Sequence, residues 1–137
     1  MTIPRSDASQ VTTQRRVLGQ VIFCKGCCCG RTDRGLPAVP VERIKRVWKT
    51  EDLNRVIQLT MSGCVGPCDV PNVAVVVTAA GTRWFGRLET DSHYDLLVDW
   101  ARACRAAGLV LPLPEALEPH GFDPFVDAVE FDTRRRR

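Results

Sequence analysis

The sequence has few of the side chains on which catalysis and nucleic-acid binding usually depend. It contains only two histidines: His93 lies at a predicted helix start and His120 in a proline-rich segment, so neither belongs to a convincing acid–base set. No apolar run approaches the length of a membrane span, and the first twenty residues lack the apolar stretch of a secretory signal. We therefore expect a cytoplasmic protein with no membrane contact, and one that is not an enzyme.

The sequence also lacks a basic face, although its formal net charge is +3. Residues 134–137 are all arginine, and 19 basic side chains less these four leave 15, against 16 acidic ones. Binding to a nucleic-acid backbone requires basic residues clustered over a surface, which a short terminal run does not provide. We therefore expect no nucleic-acid partner.

The order of apolar segments predicts an α/β fold. Strand patterns at residues 17–23 and 56–61 flank a segment with helical apolar spacing at residues 41–48, and residues 73–88 read as a hairpin. A second helix is predicted from residue 91 or 92 to 107. This order predicts a mixed four-stranded sheet with two main helices, in a domain of thioredoxin type.

The length of 137 residues and the apolar fraction of 45% suit a single domain with its own core. Residues 17–108 would form this domain. Residues 1–16 are expected to be a flexible arm, and residues 109–137 a proline-rich tail that ends in the basic run.

Cysteine is the one chemically distinctive residue that is abundant, with seven copies. In a reducing cytoplasm, clustered cysteines more often bind metal or carry out redox chemistry than form disulfides. Six of them lie in two loops, CKGCCCG after the first strand and SGCVGPCD after the second. If these strands are parallel neighbours, both loops reach the same edge of the sheet. The six candidate ligands are Cys24, Cys27, Cys28, Cys29, Cys64 and Cys68.

Spacing alone leaves the choice of ligands open in the first loop. Cys24 and Cys27 have the C-x2-C spacing of half a tetrahedral zinc site, whereas Cys24 and Cys29 are spaced C-x4-C. The C-x2-C pair could also be a thioredoxin-like redox pair, although such pairs normally open a helix and this one precedes a glycine-containing loop. Cys104 lies on the apolar stripe of the last helix, which predicts a buried core thiol rather than a ligand.

The combination Cys24-x4-Cys29 and Cys64-x3-Cys68 resembles the ligand pattern of thioredoxin-like [2Fe-2S] ferredoxins. The stretches SGCVGPCDVPNVAVV and TRWFGRL extend the resemblance over roughly residues 17–107. CCCGRTDRGLPAVPVE is most similar to ferredoxin-like proteins found with cobalamin (vitamin B12) biosynthesis enzymes. The resemblance implies a [2Fe-2S] cluster bound by Cys24, Cys29, Cys64 and Cys68, with Cys28 as the alternative to Cys29.

The same resemblance implies a one-electron transfer protein that serves a redox step in cobalamin biosynthesis. Its partner would be a redox protein, either a reductase or an acceptor enzyme, and a homodimer is left open. The main alternative is a zinc- or cobalt-binding module, or a metal-delivery protein, that uses the same cysteines. Trp84 and Phe85 could shield the cluster or line a dimer face, although core packing is the simpler role for both.

Overall fold

The computed structural model describes residues 13–135 of the chain. A five-stranded mixed sheet forms the centre of this part. Residues 1–12 of the predicted arm, and residues 136–137 of the basic run, lie outside this range. The strands are β1 Gly19–Cys24, β2 Ile57–Ser62, β3 Ala74–Thr78, β4 Gly81–Phe85 and β5 Gly121–Phe122. The α-helices are α1 Val41–Thr50, α2 Asp91–Ala107 and α3 Ala128–Arg135. Short 3-10 helices cover Thr32–Arg34, Leu53–Arg55 and Glu115–His120.

The first two strands are parallel neighbours, as the sequence predicts. Strand order is β2-β1-β3-β4-β5, with β1 parallel to β2 and antiparallel to β3. Cys24, the last residue of β1, is paired in register with Ser62, the last residue of β2. The two cysteine loops therefore leave the same edge of the sheet side by side.

The prediction of an α/β domain with a mixed sheet is confirmed, but the strand count is five rather than four. The extra strand comes from the proline-rich tail, where Phe122 and Gly121 pair with Trp84 and Phe85 of β4. A two-residue strand is too short to show an alternating pattern, so it cannot be predicted from periodicity. Helix α3, in the same tail, was also not predicted.

Side-chain alternation along the strands separates the apolar residues into two clusters. Val21 and Phe23 of β1 belong to the larger cluster, which also contains the buried faces of α1 and α2. Phe85 is fully buried there, as expected of a core residue. Ile22 and Cys24 point to the opposite face and belong to a smaller cluster. Cys24 and Cys29 therefore pack with the smaller cluster rather than with the core beneath the two main helices.

Hydrogen bonds from two tryptophan indoles hold α1 to the sheet and the tail to α2. The indole N–H of Trp48 in α1 donates to the carbonyl of Ile57 at 2.7 Å. The indole of Trp100 in α2 donates to the carbonyl of Leu111 at 2.8 Å, and Leu117 is fully buried in the larger cluster. The first part of the tail is thus packed against the domain. Within the described residues, no helix combines the length and apolarity needed to cross a membrane.

Cys104 has the core position that the helix pattern predicts. It is fully buried in the larger cluster, and its sulfur accepts the backbone N–H of Leu111 at 3.4 Å. Cys104→Ala should lower the free energy of unfolding by roughly 1–2 kcal/mol, because it leaves a small cavity and removes this acceptor. Urea denaturation would measure the loss. Metal content should stay at the wild-type level, and bleaching of the variant would contradict the core assignment.

Candidate metal centre

Two strand ends hold the first cysteine loop at its start. The backbone N–H of Cys24 donates to Val73 at 3.0 Å, and that of Lys25 donates to Ser62 at 2.8 Å. These bonds join the end of β1 to the chain segments on both of its sides. The loop therefore begins from a fixed backbone.

The first loop then makes a tight turn that sends its cysteines in different directions. The N–H of Gly26 donates to the carbonyl of Cys29 at 2.8 Å, and Gly26 has φ +117°. Cys27, at the tip, has φ +52°, a left-handed conformation that few non-glycine residues adopt. The Cys27 side chain is exposed, Cys28 is half-buried, and Cys29 returns to the interior.

The second loop brings its two thiols together around a glycine. The sulfurs of Cys64 and Cys68 lie 3.2 Å apart, and the backbone N–H of Gly66 points at the Cys64 sulfur at 3.4 Å. Gly66 has φ +121°, a backbone conformation that side chains rarely permit. The glycine between the cysteines is therefore what allows this N–H···S contact.

Three thiols from the two loops form a single group. The sulfurs of Cys27, Cys64 and Cys68 all lie within 4.8 Å of one another, and those of Cys27 and Cys68 are 3.8 Å apart. Two thiolates on one tetrahedral metal, with bonds of about 2.3 Å, would lie about 3.8 Å apart. We call Cys27, Cys64 and Cys68 the outer group; it could hold a metal ion.

Cys24 and Cys29 form a second, buried pair. Each is 3% exposed, and both pack against Val73 and Val75 in the smaller cluster. Burial raises the pKa of the Cys29 thiol to about 12, and a hydrogen bond in which this thiol donates to Cys24 acts in the same direction. Both side chains lie on the inner side of the loop, whereas the outer group faces solvent.

The hydrogen bond between the two thiols of the second loop shifts their pKa values in opposite directions. Their mutual hydrogen bond lowers the pKa of Cys64 and raises the pKa of Cys68 to about 12. The N–H of Gly66 further lowers the pKa of Cys64. Cys64 is therefore the more acidic thiol of the pair, and a metal that bound both sulfurs would displace the protons they carry.

Asn72 is the residue of this site that sequence reasoning missed. It is fully buried, and its Oδ1 accepts the backbone N–H of Gly30 at 2.8 Å. Its Nδ2 donates to the carbonyls of Pro37 and Ala38 at 3.0 and 3.3 Å. The side chain thus joins both ends of the segment that follows the cysteine triplet. An asparagine between two apolar residues, as in PNV, was the available signal.

The predicted site residues are distributed over both thiol sets. Cys64 and Cys68 lie in the outer group, and Cys24 and Cys29 in the buried pair. Cys27, which the expected ligand set left out, completes the outer group, and half-buried Cys28 lies beside it in the chain.

His93 has a structural role at the start of α2. Its Nδ1 accepts the backbone N–H groups of Glu89 and Thr90 at 2.9 and 3.3 Å, and the Thr90 hydroxyl accepts the N–H of His93. Thr90 and His93 therefore cap this helix together. Nδ1 of His120 is 3.0 Å from the carbonyl of Gly86, in the segment that leads into β5.

Comparison with known proteins finds similarity only among solved structures. No protein-family model matches the chain, and no curated protein matches it significantly. A crystal structure of the wild-type thioredoxin-like [2Fe-2S] ferredoxin from Aquifex aeolicus is 16% identical, with 79% of this chain and 99% of that chain covered and a TM-score of 0.43. A second structure of a thioredoxin-like [2Fe-2S] ferredoxin from Aquifex aeolicus is 19% identical over 80% and 96% of the two chains, also with a TM-score of 0.43. What the site can bind must follow from its own thiols.

Proposed function

We propose that the protein is a one-electron carrier whose [2Fe-2S] cluster is held between the two cysteine loops, and that it is not an enzyme. The observation that carries this proposal is the outer group, in which thiols from two separate loops meet within 4.8 Å at one edge of the sheet. Such a cluster gains and loses single electrons, and its potential depends on net charge, hydrogen bonds to sulfur and exposure.

The donor set fits a thiolate-bound centre. Cysteine thiolates are soft ligands that select iron–sulfur clusters, zinc or Cu(I), whereas carboxylates favour magnesium, calcium or manganese. The two loops contain six thiols, which exceeds the four that a Cys₄ centre requires. The outer group contains neither histidine nor carboxylate.

Residues around the thiols would tune the centre. The N–H of Gly66 donates toward the Cys64 sulfur and would stabilise negative charge there. On the inner side, Val73 and Val75 exclude water from Cys24 and Cys29, whereas the outer group faces solvent. The chain thus provides one dry and one accessible side, and the accessible side is where an electron would enter or leave.

We propose Cys64 and Cys68 as two of the ligands. For the first loop, the family resemblance implies Cys24 and Cys29, with Cys28 as the alternative, while the distances support Cys27. A cluster bound by Cys24 and Cys29 together with Cys64 and Cys68 would require the inner pair to face the outer group. The two possible ligand sets use different cysteines of the first loop, so experiments can separate them.

Single serine variants at positions 24, 27, 28 and 29 should identify the first-loop ligands. If Cys24 and Cys29 are ligands, their serine variants should bleach or shift the visible spectrum, while Cys27→Ser stays nearly unchanged. If Cys27 is a ligand, its variant should change the spectrum most. Visible absorbance and circular dichroism of anaerobically prepared protein would measure this. Wild-type spectra in all four variants would contradict ligation by any cysteine of the first loop.

The connectivity supports a thioredoxin-like assignment for the fold. The parallel β1–β2 pair is joined through α1, and the β3–β4 hairpin is followed by α2, which is the order that the sequence resemblance implies. A cytoplasmic role in cobalamin biosynthesis is a further proposal. It rests only on the resemblance of residues 27–42.

Metal analysis tests the proposal directly. Protein purified without oxygen should be red-brown and contain about two irons and two acid-labile sulfides per chain. Iron, zinc, cobalt and sulfide assays on the same preparation would measure this. Stoichiometric zinc without sulfide would contradict the cluster.

A zinc- or cobalt-binding module is the second candidate function. The 3.8 Å between the sulfurs of Cys27 and Cys68 suits one tetrahedral ion, with Cys64 as the third ligand. This arrangement would leave a fourth position for another first-loop thiol or for a partner that receives the metal. One metal ion per chain, without sulfide, is the result that would favour it.

A further inference from the structure

An open groove of about 500 Å³ lies directly beside the second cysteine loop. Its apolar lining comes from that loop, from β4 and from the tail around β5: Val65, Pro67, Val70, Trp84, Phe122 and Phe125. Val65, Gly66 and Pro67 are the three residues between Cys64 and Cys68. A molecule seated in the groove would therefore touch the backbone that joins two proposed ligands.

Three aromatic side chains form one wall of the groove, and this wall is accessible to solvent. The ring of Trp84 packs edge-on against Phe122 and Phe125, with ring centroids 6.2 and 5.8 Å apart. Phe125 is nevertheless 67% exposed, and neighbouring Val126 is 37% exposed. Exposed aromatic side chains beside a polar rim are typical of protein-docking sites.

Charge is segregated around this wall, although the whole chain is nearly neutral. Between Arg105 and Arg134 there is no basic residue other than His120, whereas six acidic residues occur: Glu115, Glu118, Asp123, Asp127, Glu130 and Asp132. Asp123 lines the groove together with Asp69, which follows Cys68 in the chain, and both are exposed. Arg83 lies near the aromatic wall but does not line the groove itself, and its guanidinium is paired with Glu118 at 3.4 Å. The groove therefore has an acidic rim.

We propose that this groove docks a protein partner with a cationic surface, in which lysines or arginines surround an apolar contact residue. Complementary charge would orient the partner, and the aromatic wall would supply the contact. The inference rests on the proposed function: the docked partner exchanges one electron with the centre through the Cys64–Cys68 loop. In the forward direction the reduced protein loses one electron, the partner gains it, and no proton or atom is transferred.

Carbodiimide cross-linking tests the docking without requiring a loaded centre. Cytochrome c, a basic haem protein, serves as the cationic probe, because its lysines can form amide bonds with nearby carboxylates. Mass spectrometry should map the cross-links to Asp69, Asp123 and Asp127 at low ionic strength. Their yield should fall in 1 M salt, where the screening length is only about 3 Å. Cross-links that instead concentrate on Glu42 or Asp95, on the helices of the other sheet face, would overturn the proposal.

Electron transfer provides the second test. The dithionite-reduced protein, freed of excess reductant, is mixed with ferric cytochrome c, whose haem takes one electron and becomes ferrous. Asp69→Asn and Asp123→Asn should each slow this reaction roughly two- to fivefold at low salt and have little effect at high salt. Phe125→Ser should slow it at both. Glu42→Gln, which removes one charge on α1, is the matched control and should leave the rate unchanged.

Ferricyanide separates failure of the docking proposal from failure of the proposed function. This small oxidant needs no docking surface, so in 1 M salt, where its own negative charge is screened, all four variants should reduce it as fast as the wild type does. If the loaded protein reduces ferricyanide but the groove variants and Glu42→Gln react equally with cytochrome c, the docking proposal is wrong. If the protein holds no redox centre and reduces neither oxidant, the proposed function itself is wrong. Cross-linked dimers formed through Asp123 without cytochrome c would assign the groove to a second copy instead.

Discussion

Cys68→Ser is expected to abolish metal binding, with the largest effect of any single cysteine change. Its sulfur is 3.2 Å from that of Cys64 and 3.8 Å from that of Cys27, so it is the thiol that contacts both loops. A serine hydroxyl is a harder and much weaker ligand for iron or zinc than a thiolate. Because changes in outer-shell partners alone weaken metal sites 10–100-fold, loss of a ligand should reduce affinity roughly a hundredfold or more.

Metal analysis and the visible spectrum, measured on anaerobically purified Cys68→Ser, would check this expectation. Cys104→Ala is the matched control, because it removes a thiol from the same chain at a position buried in the helix-covered core. Full colour and full metal content in Cys68→Ser would show that the outer group is not the centre. Loss of colour in both variants would show that the colour depends on the general stability of the protein and not on Cys68 in particular.

Asn72→Ala is expected to cost about 3 kcal/mol of folding free energy and to loosen the first cysteine loop. The change leaves the N–H of Gly30 and the carbonyl of Pro37 without their partner inside the protein. A buried polar group that loses its partner costs about 1–3 kcal/mol. Gly30 directly follows the cysteine triplet, so we expect weaker metal retention as well as lower stability. Urea denaturation and the rate of metal loss to a chelator would measure the two effects.

Two further variants separate the role of Asn72 from a general packing effect. Asn72→Asp keeps an acceptor for Gly30 but loses the donor to Pro37 and places a carboxylate near two carbonyls, so it should also destabilise the loop. Asn54→Ala is the control, because this exposed asparagine accepts one backbone N–H, from Leu59 at 2.9 Å. It should cost about 1 kcal/mol or less and leave metal retention unchanged. Equal effects of Asn72→Ala and Asn54→Ala would contradict the proposed role.

The main elements of the fold could be predicted because each carries a local pattern. The helical spacing of Ile44 and Trp48 and the apolar run of β3 are independent of distant residues. The core position of Cys104 was likewise visible in the sequence. Strand β5 was not predicted, because a two-residue strand exists only through its pairing with Trp84 and Phe85.

The sequence also predicted that the two cysteine loops would reach the same edge of the sheet if the first two strands were parallel neighbours, and the structure pairs Cys24 with Ser62 in a parallel register. It did not show how the thiols would be divided between an inner and an outer side. That division follows from the turn at Gly26 and the positive φ of Cys27, which expose one thiol while Cys29 returns to the interior. Spacing along the chain contains no information on such directions.

The sequence by itself determined the α/β class, the parallel first pair of strands and the thiol chemistry of the site. These depend on residue type and on short-range periodicity, both of which can be read directly from the sequence. Only the tertiary structure decided the neighbours of Cys27, the buried position of Asn72 and the acidic groove around Trp84. Each of these depends on contacts between segments far apart in sequence, such as Cys27 with Cys68 and Trp84 with Phe125. Such contacts form only when the packed sheet fixes the directions of its side chains.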